Sequence, residues 1–194
     1  MKLVFPKALL KQSQQAGASL IIVLMILVVV SLLGVGGAQI ALMSERGARN
    51  DRDMQIAWQA AEAALVDAEI DMTVNRTSIF DNKNQSSFIS GCGTTGQLIG
   101  LCTTTSATKP AWLTVNFTAT GSGAPSTEFG AYTSRHFAAG TTGIQPAKAS
   151  RYIIELVPDP VGDKSNPSFL YRVTAMGFGP RDDIQGVLQM IYRI

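Results

Sequence analysis

Cys92 and Cys102 are the two cysteines of the 194-residue chain, and they lie in a loop rich in glycine and threonine, GCGTTGQLIGLCTTT. In an exported protein such a pair predicts a disulfide, which would stabilise the fold by about 2–3 kcal/mol at most. Free thiols and a metal site are the alternatives. A zinc site needs four ligands, and no neighbouring histidine or second cysteine pair supplies them.

Other residues that could do chemistry are few. His136, in TSRHFAAG, is the single histidine, and an isolated loop histidine is usually solvated. Asp159, Asp163 and Asn166 in PDPVGDKSNP could offer oxygens to calcium, but their spacing matches no calcium loop and suits turn residues better. No nucleophile elbow, phosphate-binding loop or dinucleotide fingerprint is present. We therefore predict no enzyme activity, cofactor or metal.

An uncharged segment near the N-terminus, residues 18–44, determines on which side of a membrane the rest of the chain lies. It exceeds the roughly 20 apolar residues that a membrane-spanning helix needs. Lys2, Lys7 and Lys11 precede it without any acidic residue, which places the N-terminus in the cytoplasm and the remainder across the membrane. An ordinary signal peptide cleaved near Gly36-Gly37-Ala38 is the alternative. The net charge of +2 is too small and too dispersed to indicate a nucleic-acid partner.

The helical pattern continues beyond the uncharged segment, which argues against cleavage there. Apolar residues recur at helical spacing and predict one core-facing stripe through residues 45–75: Met54, Trp58, Ala61, Leu65, Ala68 and Met72. The acidic residues around the stripe are interpreted as a solvated face: Glu62, Asp67, Glu69 and Asp71.

A β-rich head is predicted for residues 76–194. A loop region held by the cysteines extends to about Lys109, and four strand candidates follow it, at residues 112–119, 151–157, 169–178 and 186–194. The last strand alternates apolar and mixed positions, and GPRDDIQ before it predicts an antiparallel turn. One long helix laid on an antiparallel sheet gives an α+β fold.

The border at Gly17-Ala18-Ser19, where small residues precede the apolar run, completes a layout that resembles the type IV pilin-like proteins. Within them, GASLIIVLMILVVVSLLG, AWQAAEAAL and YRVTAMGFGPRDDIQGVLQMIYR are similar to PilX-type minor pilins. The resemblance implies a pilin-like fold. It also implies that residues 1–17 form a basic leader, which a prepilin peptidase removes between Gly17 and Ala18, and that the new Ala18 amine is methylated.

Ile22 departs from the pattern of most filament pilins, which carry glutamate at the fifth mature position. In the family that carboxylate is thought to meet the N-terminal amine of the subunit above. A subunit without a neighbour above needs no such group, so we expect a minor pilin at or near the filament tip, in a priming complex.

The resemblance also sets the location and the partners that we expect. The chain would be a single-pass protein of the inner membrane with its C-terminus in the periplasm, and later part of the pilus. Its partners would be other minor pilins and pilus subunits, the prepilin peptidase, and a surface adhesin as a further candidate. The alternatives are a tip adhesin that uses the loops of residues 82–143, and the tip pseudopilin of a type II secretion system. A third is a single-pass or secreted periplasmic protein, such as an enzyme, that ordinary signal peptidase cleaves or that is not cleaved at all.

Overall fold

The computed structural model describes residues 18–80, 85–103, 109–140, 144–161 and 168–193. The chain divides into two compact units, one ending at Ala48 and the other comprising Arg49–Ile194. The first unit is helical throughout its described residues. The second contains the end of the long helix and all the remaining elements, and from here on the head means Arg49–Ile194, which is wider than the β-rich part predicted for residues 76–194.

The helix α1 is Ala18–Ile70, and a π-helical turn, Asp71–Asn75, follows it. Residues 18–44 of α1 carry no charge, whereas the part of α1 inside the head is amphipathic. Its buried face consists mainly of alanine, as Ala57, Ala60, Ala64 and Ala68 are fully buried. These small side chains allow the helix backbone to lie close to whatever packs against it.

The head contains one mixed, mostly antiparallel sheet. Its strands are β1 (Leu101–Thr103), β2 (Thr127–Glu128), β3 (Arg151–Pro158), β4 (Phe169–Phe178) and β5 (Gln185–Tyr192). The order is β1-β3-β4-β5, and β2 also pairs with β3. The pairs β3–β4 and β4–β5 are antiparallel, while β1 is parallel to β3. The predicted α+β, pilin-like fold of a long N-terminal helix on such a sheet is confirmed.

The two faces of the sheet pack against different layers. One face joins α1 in a core with an aromatic cluster, in which Tyr171 lies 5.4 Å from Phe80 and 5.9 Å from Phe88 between ring centroids. The other face packs against loop residues and the cysteines around Ile153. Because both faces are covered, the first six residues of β3 are buried without alternation.

Glycines on β4 and β5 bring the sheet close to α1. Gly177 and Gly186 face each other across the β4–β5 ladder. A Cβ atom on Gly177 would overlap the carbonyl oxygen of Ala57 and the amide nitrogen of Ala61. A Cβ atom on Gly186 would lie 2.5 Å from Trp58 Cδ1. The helix backbone therefore rests directly on strand backbone at this point.

Two predictions about these elements are wrong in part. The strand expected at residues 112–119 is absent, and a short 3-10 helix, Ala111–Leu113, lies at its start. In the predicted stripe, Ala61, Ala68 and Met72 are buried, but Trp58 is 54% exposed. The buried face is rotated toward the alanines, because the close approach of the helix backbone to Gly177 at Ala57 and Ala61 leaves room only for small side chains there.

Candidate functional site: the apolar helix and the buried polar groups of the head

The apolar part of α1 exposes its side chains along its whole length. Among its large apolar side chains, exposure ranges from 50% for Val28 through 58% for Ile22 to 72% for Met43. This helix is long and apolar enough to cross a membrane, as judged by length and composition, and it lies near the N-terminus. So large an apolar surface is stable only against lipid or against other helices.

The predicted processing residues lie at the start of this helix. Gly17 lies outside the described residues, and Ala18 is the first residue of α1. Ile22 follows on the first turns, and its aliphatic side chain is exposed. Cleavage and methylation at Gly17–Ala18 stay predictions.

The predicted disulfide between Cys92 and Cys102 is present, with 4.1 Å between the Cα atoms. Cys92 is 5% exposed and Cys102 is fully buried. They pack with Phe117 and Ile153 against the sheet face opposite α1. The disulfide is therefore part of a core layer and does not merely close an exposed loop.

Replacing both cysteines by serine should lower the free energy of unfolding by about 3 kcal/mol. Loop-closure entropy for so short a loop accounts for about 2–3 kcal/mol, and burial of two hydroxyl groups among apolar side chains adds to it. Denaturant unfolding of the full chain in detergent, followed by tryptophan fluorescence, measures the effect. Reduction of the wild-type chain is the matched control, and equal stability of oxidised and reduced chains would contradict the prediction.

A buried ion pair fixes the π-helical turn at the end of α1 to the rest of the head. Asp71 and Arg76 have side chains that are 0% and 1% exposed, and the Arg76 guanidinium donates two hydrogen bonds to the Asp71 carboxylate. Arg76 also donates to the carbonyl oxygen of Gln97 at 2.7 Å and stacks on the Tyr132 ring at 3.8 Å. The hydroxyl of Tyr152 on β3 donates to Asp71 at 2.8 Å. The pair thus joins the helix, the cysteine loop and the sheet.

Asp67 forms a second buried connection one turn earlier. The backbone N–H of Gly130 donates to its carboxylate at 2.8 Å, and the Thr133 hydroxyl donates to the other oxygen. The Arg135 guanidinium lies 3.6 Å away. The prediction of a solvated acidic face is therefore wrong for Asp67 and Asp71, because both carboxylates are buried and accept hydrogen bonds from distant segments.

The spacing of these aspartates contained a signal for their burial. Ala60, Ala64, Asp67 and Asp71 follow one another at intervals of four, three and four residues, so they share one helix face. The burial of Ala60 and Ala64 therefore extends to the two aspartates. The buried face lies one position before the large residues Trp58 and Leu65, at Ala57 and Ala64.

The head should lose stability in alkaline solution through Tyr152. Burial, with the Asp71 carboxylate as the next cause, raises the pKa of Tyr152 far above its ordinary value of 10.0. Because the pKa is higher in the folded chain than in the unfolded one, the stabilisation is complete below pH 10 and is lost as pH rises. We expect the free energy of unfolding to fall by up to about 1.4 kcal/mol per pH unit above pH 10.

Urea unfolding between pH 8 and pH 11.5 tests this expectation. Tyr152→Phe should flatten the alkaline slope while it lowers stability at pH 8, since the hydrogen bond to Asp71 is lost. Tyr192→Phe removes the same hydroxyl group from a half-buried ring at the end of β5, so it provides the matched control and should leave the slope unchanged. An identical slope in wild type and Tyr152→Phe would refute the assignment.

The remaining predicted site residues lie apart from these connections. His136 is exposed, as expected. The Asp159 carboxylate accepts a hydrogen bond from the Val161 amide and forms an ion pair with Arg193 at 2.8 Å. Asp159 therefore acts as a turn residue. Asp163 and Asn166 lie outside the described residues. Among the described residues no group of three or more metal-ligating side chains occurs.

One open groove is lined by the loops around β2. Its volume is about 700 Å³, and its walls include Tyr132, His136 and the ion pair of Arg151 with Glu128 at 2.7 Å. Burial lowers the pKa of Arg151, and Glu128 opposes this effect. The groove was not predicted as a site, because its lining comes from separate loops without a common motif.

Two family models match the chain. The PilX N-terminal model matches residues 16–66, and the model for the C-terminal part of the type IV pilus assembly protein PilX matches residues 93–194. The chain belongs to the PilX family. No curated protein and no solved structure that was searched gives a significant match.

Membership of the PilX family gives the chain a role in type IV pilus assembly. PilX proteins are minor pilins of type IV pilus assembly, a structural role that requires association with other pilus subunits. The N-terminal match covers both the uncharged segment and most of the alanine face of α1. The C-terminal match begins one residue after Cys92 and covers Cys102 and all five strands.

Proposed function

We propose that this chain is a minor pilin that helps to start type IV pili and occupies a place at or near the filament tip, in a priming complex of minor pilins. The observation that carries the proposal is Ile22, an exposed aliphatic residue where most filament pilins have glutamate. A carboxylate in lipid is costly and is expected where it has a partner. A subunit that has no neighbour above it lacks the amine that would be the partner of such a carboxylate.

The same proposal includes the maturation and the location of the chain. A prepilin peptidase cleaves between Gly17 and Ala18 on the cytoplasmic side, the amine of Ala18 is methylated, and the head lies in the periplasm before assembly. Three lysines ahead of residue 18 and none within residues 18–44 support this orientation. Removal of the leader leaves an apolar helix that passes from the bilayer into a bundle of similar helices.

Mass spectrometry of the mature chain tests the maturation. A methylated Ala18 at the N-terminus is the expected result. An intact Met1, or a start near Gln39, would show that the chain is not processed as a pilin.

Immunogold labelling of pili tests the tip location. We expect label at filament ends for wild type and along the shaft for Ile22→Glu, because the carboxylate would allow a subunit to be added above. Ile21→Glu is the matched control, with the same charge one position earlier, and should not enter the shaft. Wild-type label along the shaft would disprove the tip location.

A second candidate function, a tip adhesin, is favoured by the groove near β2. Its walls belong largely to the Gly-, Ser- and Thr-rich loops that were expected to contact surfaces. Because the disulfide is buried, its removal would disturb the whole head and could not isolate adhesion. His136→Glu changes an exposed wall residue instead. Normal pilus number with lost adhesion would support the adhesin function, and unchanged adhesion would oppose it.

A further inference from the structure

The strand β5 has a free edge within the described part of the chain. Its backbone pairs with β4 alone, through an uninterrupted antiparallel register from Gln185 to Tyr192. An eight-residue strand at the end of a sheet presents unpaired N–H and C=O groups to its surroundings.

The hydrogen-bond register tells which residues present those groups. The Gly179 amide donates to the Ile184 carbonyl oxygen at 2.8 Å, so these two residues form a hydrogen-bonded pair of the β4–β5 hairpin. Such pairs alternate along an antiparallel ladder. The backbone groups of Gly186, Leu188, Met190 and Tyr192 therefore point toward β4. Those of the alternate residues point to the free edge: Gln185, Val187, Gln189 and Ile191.

The free edge lacks the devices that natural proteins use to prevent strand addition. Such devices are charged side chains, prolines, bulges and short strands. β5, with the sequence QGVLQMIY, has no charged residue, no proline and no bulge. Val187 and Ile191 are 45% and 57% exposed, and they belong to the set whose backbone points outward. The free edge of β5 thus presents unpaired backbone groups and exposed apolar side chains at the same residues.

Symmetry argues against a second copy of this chain as the occupant. Two identical edges that pair in antiparallel fashion are related by a twofold axis perpendicular to the sheet. Within the head, α1 lies along the sheet face, so this axis would reverse its direction in the second copy. The two Arg49 ends would then lie on opposite sides, although both chains enter from the same membrane. A different subunit is free of this constraint.

We propose that the free edge of β5 binds an extended, uncharged segment of another pilus subunit, which adds a strand beside Gln185–Tyr192. This inference rests on the proposed function in pilus assembly. Main-chain hydrogen bonds to Val187, Gln189 and Ile191 would supply affinity, and apolar residues at alternate positions of the partner would cover Val187 and Ile191. The absence of charge along β5 favours an uncharged segment, because β5 offers no charged side chain with which a charged one could pair.

Site-specific photocross-linking in pilus-producing cells tests the proposal with the full-length chain. A photoreactive residue at Ile191 should give an adduct with another pilus subunit, and mass spectrometry should place the link in an uncharged extended segment. Leu113, which is similarly exposed at 54% but lies in the 3-10 helix Ala111–Leu113 and not on β5, is the control position and should give at least tenfold less of this adduct. An adduct with a second copy alone, equal adducts at both positions, or no adduct would overturn the proposal.

Two edge variants separate strand addition from simple proximity. Val187→Pro removes an N–H that points away from β4, which an edge strand tolerates, and Val187→Lys adds a protective charge while it keeps the backbone. Each should reduce the Ile191 adduct and the pilus number at least tenfold. Leu188→Pro removes an inward N–H and should instead unfold the β4–β5 pair. Retention of adduct and pili in both Val187 variants would refute strand addition.

Deletion of the whole chain distinguishes a failure of the proposed function in pilus assembly from a failure of the β5 edge proposal. If pilus number is unchanged without the chain, the proposed function in assembly fails. If pili are lost on deletion but persist in both Val187 variants, the function stands and the edge proposal alone fails.

Discussion

Arg76→Met should lower the free energy of unfolding of the head by about 3–5 kcal/mol. Arg76 and Asp71 are paired with almost no solvent exposure, and loss of the cation leaves an uncompensated carboxylate in the core. Methionine keeps much of the volume, so the loss reports charge and hydrogen bonds more than packing. Denaturant unfolding of the full chain in detergent, followed by tryptophan fluorescence, measures it.

Arg52→Met is the matched control for this substitution. Arg52 pairs with Asp53 at 2.9 Å, but its side chain is 51% exposed, and an exposed pair is worth at most about 1 kcal/mol. Similar losses for Arg76→Met and Arg52→Met would mean that the buried pair does not hold the helix end. The double variant Asp71→Leu with Arg76→Met should recover part of the stability, because no charge is then left buried.

Gly177→Val should destabilise the head by about 3 kcal/mol, the second large effect that we expect. The new side chain would overlap backbone atoms of Ala57 and Ala61, and a helix backbone cannot move aside as a flexible side chain would. Gly177→Ala should show a smaller loss of the same sign. The same unfolding experiment measures both variants.

Gly47→Ala tests whether the loss comes from crowding or from the removal of a glycine. Nothing lies within 4 Å of a Cβ atom at Gly47, and alanine favours a helix by about 1 kcal/mol over glycine. This control should be neutral or slightly stabilising. Stability of Gly177→Val equal to wild type would show that α1 does not rest on the β4–β5 backbone.

The sequence predicted those parts of the fold that depend on local periodicity. β3, β4 and β5 were found from short apolar or alternating runs, and the turn between the last two from Pro180 and its neighbours. β1 was missed because it has three residues and pairs with β3 in parallel across a long separation. The strand predicted at residues 112–119 is wrong, since the chain there starts in a 3-10 helix, Ala111–Leu113, whose first amide donates to the Glu155 carboxylate on β3.

The candidate site divides in the same way. The cysteine pair was predicted from count and setting, and the uncharged segment from composition alone. The buried roles of Asp67 and Asp71 were missed because their partners Gly130 and Tyr152 are 63 and 81 residues away in sequence. No local pattern contains those contacts, although both aspartates share a helix face with the buried alanines, and that spacing predicts their burial. Gly17, Ala18 and Ile22 remain predictions that rest on their positions in the sequence.

The alanine face of α1 has a mechanical consequence. Ala57, Ala60, Ala64 and Ala68 carry no hydrogen-bonding side chain, so this part of the buried face is held by packing alone. The side-chain hydrogen bonds that would oppose a pull on the Arg49 end lie at the far end of the helix, where Asp67 and Asp71 are bonded to the loops and to β3. Under tension we therefore expect these two carboxylates to carry load that the alanine face cannot carry through hydrogen bonds.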